Sequence, residues 1–203
     1  MLPLRPFYMI RHGQTVANRE GWASGSIDTK LTDLGKEQAR AAQSVLPFLP
    51  QKPTALYHSA LSRARDTAII LNEILNLPMI ECADLNEQNF GTWAGQPWEN
   101  CHAKLVAGET PPQGEGREVF NARVMHGLHF VLTTTTGLPL IASHGGVFDA
   151  LVQSYGFEIP DVKNCHLYGF EPCTNEAPFP WTIWHYGCES EDSSTKEQIV
   201  LID

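Results

Sequence analysis

The chain alternates short apolar runs with longer segments whose apolar positions recur every three or four residues. "RPFYMI" reads as a strand, and the glycine-containing segment from Arg11 to Gly25 cannot continue it. In "TKLTDLGKEQARAAQSVLPFLPQKP" Thr32 is placed to cap a helix with Asp33 near its positive end. Leu34, Ala41, Val45 and Leu46 supply its apolar face, and Pro47 and Pro50 mark its end. "TALYHS" predicts a second strand. "SRARDTAIILNEILNLP" predicts a helix with Ala64, Ala68, Leu71 and Leu75 inward, stopping at Asn76 and Pro78. A short strand and an irregular aromatic loop follow in "MIECADLNEQNFGTWAG", then a helix over Glu99 to Ala107. A longer helix begins near Glu118, with Val124, Leu128, Val131 and Leu132 as its core face and a threonine run weakening its end. "LPLIASHGGVFDALVQSYG" repeats the opening pattern of strand, His-Gly and helix. "CHLYGFEP" and "WTIWHYG" close as strands before a polar tail that reads as surface or loosely ordered.

This alternation predicts an α/β fold, a three-layer domain with a largely parallel central sheet covered by helices on both faces. One domain spans 1–203, with an inserted loop and helical lid region at about 88–117. Ligands in such folds bind outside the carboxyl ends of the strands. Arg11-His12-Gly13 and His144-Gly145-Gly146 both fall at such ends, so two junctions far apart in sequence are expected to meet.

Charge narrows the ligand. A net charge of −9 argues against non-specific nucleic-acid binding but leaves room for a local cationic pocket. Five cysteines without CxxC spacing suit free thiols in a reducing compartment. No run resembles a membrane span or a signal peptide, which predicts a soluble, cytoplasmic protein with no membrane partner.

Arg11 and Arg63 present guanidinium groups whose fixed geometry suits phosphate oxygens. Gly13, Gly145 and Gly146 let backbone N–H groups approach an anion, and the helix after Gly146 aims its positive end at the same charge. His12 and His144 supply either two donors or a nucleophile and a donor. A neutral imidazole attacks phosphorus, the developing charge needs cations, and the leaving alcohol needs a proton. Glu87, at another strand-to-loop junction, is the candidate acid. Asn18 and Ser59 are candidate oxygen contacts, although Asn18 also reads as a turn former and Ser59 as a backbone-bonding serine. Arg63 equally suits a helix-face pair with Asp66 or Asp33. His58, His102, His126, His129, His166 and His185 form no convincing metal set, and there is no HExxH or P-loop. Asp149 either orients a neighbour or faces water. Trp181 and Trp184 pack the late strand or contribute to a homodimer surface.

These blocks together resemble the histidine phosphatase superfamily, which includes the cofactor-dependent phosphoglycerate mutases. "RHGQT" with Asn18 and "DTKLTDLGKEQA", then "HSALSRARDTA", "LNEQNFGTWAG", "PPQGEGREVFNARV" and "LIASHGG" occur in the family's order over about residues 6 to 170. The resemblance implies that His12 is phosphorylated, that Arg11, Arg63 and His144 bind the phosphoryl group with Asn18 assisting, and that Glu87 is general acid and then base. It implies no metal and no cofactor. The acidic balance of the chain favours a small phosphorylated metabolite as substrate over nucleic acid. Asn100 to Thr136 holds Lys104, Arg117 and Arg123 but no dense basic cluster for a second acidic group, which favours the phosphatase branch over the mutase reaction. A non-catalytic phospho-ligand module is disfavoured by the intact histidine pair and acid. Phe90, Trp93 and Trp98 are candidates for an apolar wall beside the leaving group. Two departures stand out. Gly114-Glu115-Gly116 replaces the relatives' Gly-Glu-Ser, and Lys163 replaces a proline before Asn164 and Cys165, which read as supports of the following strand.

Overall fold

The computed structural model describes residues 1–173, 177–190 and 193–202. Among them β1 (Phe7–Arg11), β2 (Ala55–His58), β3 (Met79–Glu81), β4 (Pro139–Ser143), β5 (Leu167–Pro172), β6 (Trp181–Ser190) and β7 (Ser193–Ile199) form one sheet, ordered β3-β2-β4-β1-β5-β6-β7. The helices are α1 (Val16–Glu20), α2 (Asp33–Gln43), α3 (Ser62–Leu75), α4 (Trp98–Val106), α5 (Arg117–Thr134) and α6 (Gly145–Gln153). β1 to β4 are mutually parallel, whereas β5, β6 and β7 each run antiparallel to the preceding strand of the row. The sheet is therefore mixed but largely parallel, with β6 sharing the direction of β1.

Alternation along β1 divides the core. Phe7 and Met9 face one side with Tyr57, Ile141 and residues of α5 and α6; Tyr8 and Ile10 face the other with Leu56, Leu140 and residues of α2 and α3. Helices therefore cover both faces, and β2 and β4 are buried at every position, as strands sandwiched between helical layers must be. Phe7 stacks on its cross-strand partner Phe170 at 4.4 Å between ring centroids. Arg5 closes the other end of the layer by donating to the carbonyls of Leu132, Thr135, Thr136 and Gly137, where α5 runs out in the threonine run.

Two expectations are corrected. Leu34 and Ala41 of α2 are exposed; Gly35, Ala39 and Ala42 form the inward face instead. The cause is a backbone contact. A Cβ on Gly35 would lie 2.1 Å from the Gln14 carbonyl oxygen, and one on Gly13 would lie 2.3 Å from the Gly35 oxygen. The helix turns its glycine toward the loop after His12, and this rotation carries Leu34 outward. The polar tail is also ordered further than expected, because 193–199 adds β7 to the sheet edge while its described side chains stay largely at the surface. Arg11 to Gly25 is irregular except for α1, opened by a Thr15–Asn18 capping box and closed by a left-handed Gly21. Among the cysteines, Cys82, Cys101, Cys165 and Cys173 are free thiols; the side chain of Cys188 lies outside the described residues.

Gly35→Ala tests the backbone contact. In an open helix the change stabilises by about 1 kcal/mol. Here it should destabilise by about 1–3 kcal/mol, because backbone must move. Leu34→Ala, on the exposed face, should stay within about 0.5 kcal/mol of the parent in denaturant melts.

Candidate active site

Three adjacent parallel strands end side by side. Arg11 closes β1, His58 closes β2 and Ser143 closes β4, with Arg11 opposite Ser143 and His58 opposite Ala142. The next residue in each chain segment is His12, Ser59 or His144, and the ladder continues one step as His12 N–H donates to Ser143 O at 2.9 Å and Ser59 N–H to Ala142 O at 3.2 Å. The two imidazoles thus meet edge to face, 5.1 Å between centroids.

His12 is 4% exposed and its Nδ1 lies 2.7 Å from Gly13 O. A carbonyl only accepts, so Nδ1 carries the proton. Burial, followed by the charges of Arg63 and Arg11, holds the ring's pKa well below 6.5, and the neutral ring keeps its lone pair on Nε2. His12 lines a cavity of about 950 Å³, and Nε2 has no protein partner among the described residues.

His144 is fully buried behind it. Arg63 Nε donates to Nδ1 at 3.3 Å, which fixes the proton on Nε2, where it donates to Ser59 Oγ at 2.6 Å. Burial and the surrounding cations Arg63 and Arg11 keep this ring neutral too, its pKa well below 6.5. Ser59 is itself buried and accepts the Leu61 N–H. Its hydroxyl therefore supports His144 and does not reach the cavity, contrary to the expected oxygen contact.

Arg63 is 1% exposed, and its two terminal nitrogens donate to Ile27 O and Gly25 O at 3.0 and 2.7 Å. That loop is pinned in turn by Asp28, which accepts from both Ser62 N–H and Ser62 Oγ at the start of α3. The alternative pairing of Arg63 with Asp66 or Asp33 does not occur; those carboxylates pair with Arg65 and Lys36. Arg11 donates to Val162 O at 2.5 Å, while its buried Nε has no partner, a donor left for an anion.

Glu87 enters from the loop after β3. Its carboxylate accepts Gln88 N–H at 2.9 Å and Gly146 N–H at 3.3 Å, in the first turn of α6. Glycine at 146 lets the Glu87 carboxylate approach this closely, because a Cβ there would sit 2.3 Å from Glu87 Oε1 and push the carboxylate aside. Gly145 is under no such restraint, but it borders the Arg11 guanidinium and lines the cavity. Asn18 lines the cavity as well; its Oδ1 is occupied by the Thr15 cap, leaving the amide nitrogen for a ligand.

Several supporting residues carried no strong sequence signal. Arg123 donates to the carbonyls of Asp84, Asn86 and Glu87 and forks onto Glu115, fixing the acid-bearing loop. Burial alone would raise the Glu115 carboxyl, but hydrogen bonds from Arg123 and Asn89 draw it below the ordinary range. Asn164 Nδ2 donates to His12 O at 2.8 Å and Cys165 N–H to Arg11 O at 2.9 Å, so this pair clasps the histidine turn itself. The missing serine at Gly116 has its counterpart in α5, which starts without a side-chain cap. Phe90 and Trp93 pack with Ala23 and Cys101 in a small separate cluster, and Phe90 and Trp98 line the cavity. Among the described residues no three His, Cys, Asp or Glu side chains gather as a metal set, and no helix is long and apolar enough to cross a membrane.

Known proteins resemble this chain in sequence and fold. The uncharacterized phosphatase PhoE of Bacillus subtilis is 29% identical over 90% of this chain and 94% of its own. A 2,3-bisphosphoglycerate-dependent phosphoglycerate mutase of Bartonella tribocorum is 33% identical over 74% and 81%. The native structure of the mycobacterial glucosyl-3-phosphoglycerate phosphatase superposes with a TM-score of 0.72 at 26% identity, covering 88% of this chain and 96% of the other. The family model of the histidine phosphatase superfamily (branch 1) matches residues 7–173, and with the paired histidines at adjacent strand ends it makes this chain an enzyme of that superfamily.

Proposed function

We propose that the chain hydrolyses a small phosphate monoester through a phosphohistidine at His12. The observation that carries this reading is the His12 ring: neutral, its Nδ1 proton spent on Gly13 O, its Nε2 lone pair open to the cavity beside the unpartnered Arg11 Nε. In the first step Nε2 attacks phosphorus, the P–O bond to the alcohol breaks, and protonated Glu87 gives its proton to the departing oxygen. In the second step Glu87 takes a proton from water, the water oxygen bonds phosphorus, and the P–N electrons return to Nε2. Arg11, Arg63, Asn18 and the N–H group of Gly145 stabilise the phosphoryl oxygens. His144, with both nitrogens engaged, orients Arg63 and backs His12. The 88–117 region, bearing Trp98 and α4 along the cavity, serves as the lid over the leaving group.

Hydrolysis is favoured over retained transfer by where the nearby cations stand. Lys104 Nζ lies over the Trp93 ring at 4.9 Å and Arg123 is committed to Glu115, which leaves Arg117 alone of the three at the cavity wall. A second acidic group on a bisphosphate finds little to hold it.

His12→Ala should lose turnover and acid-quenched phosphoenzyme while keeping its circular dichroism spectrum; undiminished turnover on 4-nitrophenyl phosphate would falsify the assignment. Glu87→Gln should slow an alkyl phosphate by about 10²- to 10⁴-fold. It should slow the nitrophenyl ester far less, because that leaving group needs no proton. Equal losses on both esters count against the acid role.

Acid stability provides another check. Below about pH 6.5 the unfolded chain protonates His12 and the folded chain does not, so acidification costs the fold up to about 1.4 kcal/mol per pH unit for this ring. Asp149, whose carboxyl is raised to about 7, acts with the opposite sign, so the His12 contribution must be read by difference. Denaturant melts from pH 8 to 5 should show His12→Asn gaining on the parent only below 6.5. A constant difference would mean that the native ring titrates like a free one.

A further inference from the structure

With the phosphoryl end of the cavity assigned, the rest of its wall has a charge of its own. His12, 96% buried by its 4% exposure, aims its free Nε2 into this cavity, and Arg11 and Arg63 together balance a phosphate dianion there. The same cavity is also lined by Asp149, Glu158, Asp161 and Glu109 against Arg117. Asp149 stands one turn after Gly146 on the cavity side of α6, which also presents Gly145, Ala150 and Gln153. Its carboxylate makes no hydrogen bond or ion pair among the described residues, in contrast to Asp161, which approaches Arg11 Nη1 at 4.0 Å. Water reaches Asp149 within the cavity, yet the surrounding protein and the Glu87 charge push its carboxyl up to about 7, with Asp161 and Glu158 adding to the push and Arg11 opposing it. Such a group gains from a nearby cation and loses from a nearby anion. The same cavity offers aromatic surfaces at Trp22, Phe90 and Trp98, the last 43% exposed, and aromatic faces attract ammonium groups.

We infer that Asp149 is a specificity residue that selects phosphomonoesters whose leaving alcohol carries an ammonium group and rejects those carrying a second anion. This rests on the phosphoryl site proposed above. It also separates the chain by substrate from relatives whose names specify a phosphoglycerate.

The test is equilibrium binding, which needs no turnover. 2-Aminoethylphosphonate and phosphonoacetate are similar in size and opposite in the charge of their tail. At pH 8, where Asp149 is ionised, calorimetry on the parent enzyme should show at least about tenfold tighter binding of the amine. Asp149→Asn should narrow that ratio about fivefold or more, and Asp149→Glu should preserve it, a rescue that a merely structural role would not produce. Should Asp149→Asn fail to fold, Glu158→Gln combined with Asp161→Asn should narrow the ratio in the same direction. Equal or tighter binding of phosphonoacetate by the parent, an unchanged ratio in the variants, or binding of neither phosphonate would overturn the inference. Failure of the catalytic reading shows up differently, as selective amine binding by an enzyme that forms no phosphohistidine on 4-nitrophenyl phosphate.

Discussion

Arg63 Nε donates to His144 Nδ1, a contact that exists only while the imidazole is uncharged. The rest of the site follows from it. Burial, and after it the charges of Arg63 and Arg11, disfavours a proton on either ring, so both histidines stay neutral, and neutrality is what leaves a lone pair on His12 Nε2. The proton on His144 is then forced to Nε2, where Ser59 receives it. Arg63 itself tolerates burial because Gly25 O, Ile27 O and the nearby carboxylates of Glu87 and Asp28 compensate its lost hydration. Removing any one of these groups would leave another buried and unpaired, so the cluster forms as a whole or not at all.

The backbone supplies the rigidity that such a cluster needs. Three parallel strands in register bring His12, Ser59 and His144 to the same level, and the surrounding segments grip the turns from outside. Asn164 and Cys165 hold the carbonyls of His12 and Arg11, with Cys165 in a left-handed conformation at φ 56 that costs of order 1 kcal/mol and directs its N–H back to β1. Thr32 and Gln38 of the α2 start bond Gln14, and Gly35 allows the helix to seat directly against that loop. Rigidity here is a sum of short backbone contacts, each dependent on a small or correctly capped residue.

Strand and helix order, the core face of α5 and the meeting of the two His-Gly junctions were legible in the sequence because they depend on apolar periodicity and on where a parallel strand must end. Arg11, His12 and His144 were legible as strand-end residues, and the fold brings Arg63 and Glu87 beside them from a helix and a loop. What escaped depends on long-range contacts that leave no local trace. Leu34 reads as a core residue until Gly35 is seen against Gln14. Ser59 sits one residue beyond a strand like a ligand contact, and only its distance to His144 shows that it faces backward. Arg123 entered only as one of three scattered cations, and Asn164 as a support of β5, because the carbonyls they hold lie 36 to 39 and 152 residues away. The β7 pairing was hidden by a polar composition that suits an edge strand as well as a tail.

Net charge and local field act at different ranges, which reconciles an acidic protein with an anionic substrate. The formal charge of −9 is spread over the whole chain and is screened by salt within about 10 Å at 0.1 M. On the proposed reading Arg11 and Arg63 meet the phosphoryl group directly, Arg63 from a position only 1% exposed, and a charge pair so shielded interacts several times more strongly than at the surface. The acidic excess therefore costs little at the phosphoryl position. It bears on the rest of the cavity, where Asp149, Glu158 and Asp161 line the same space as the two arginines. On the reading proposed above, one cavity divides into a cationic floor for the phosphoryl group and an anionic wall that sorts the alcohols brought to it.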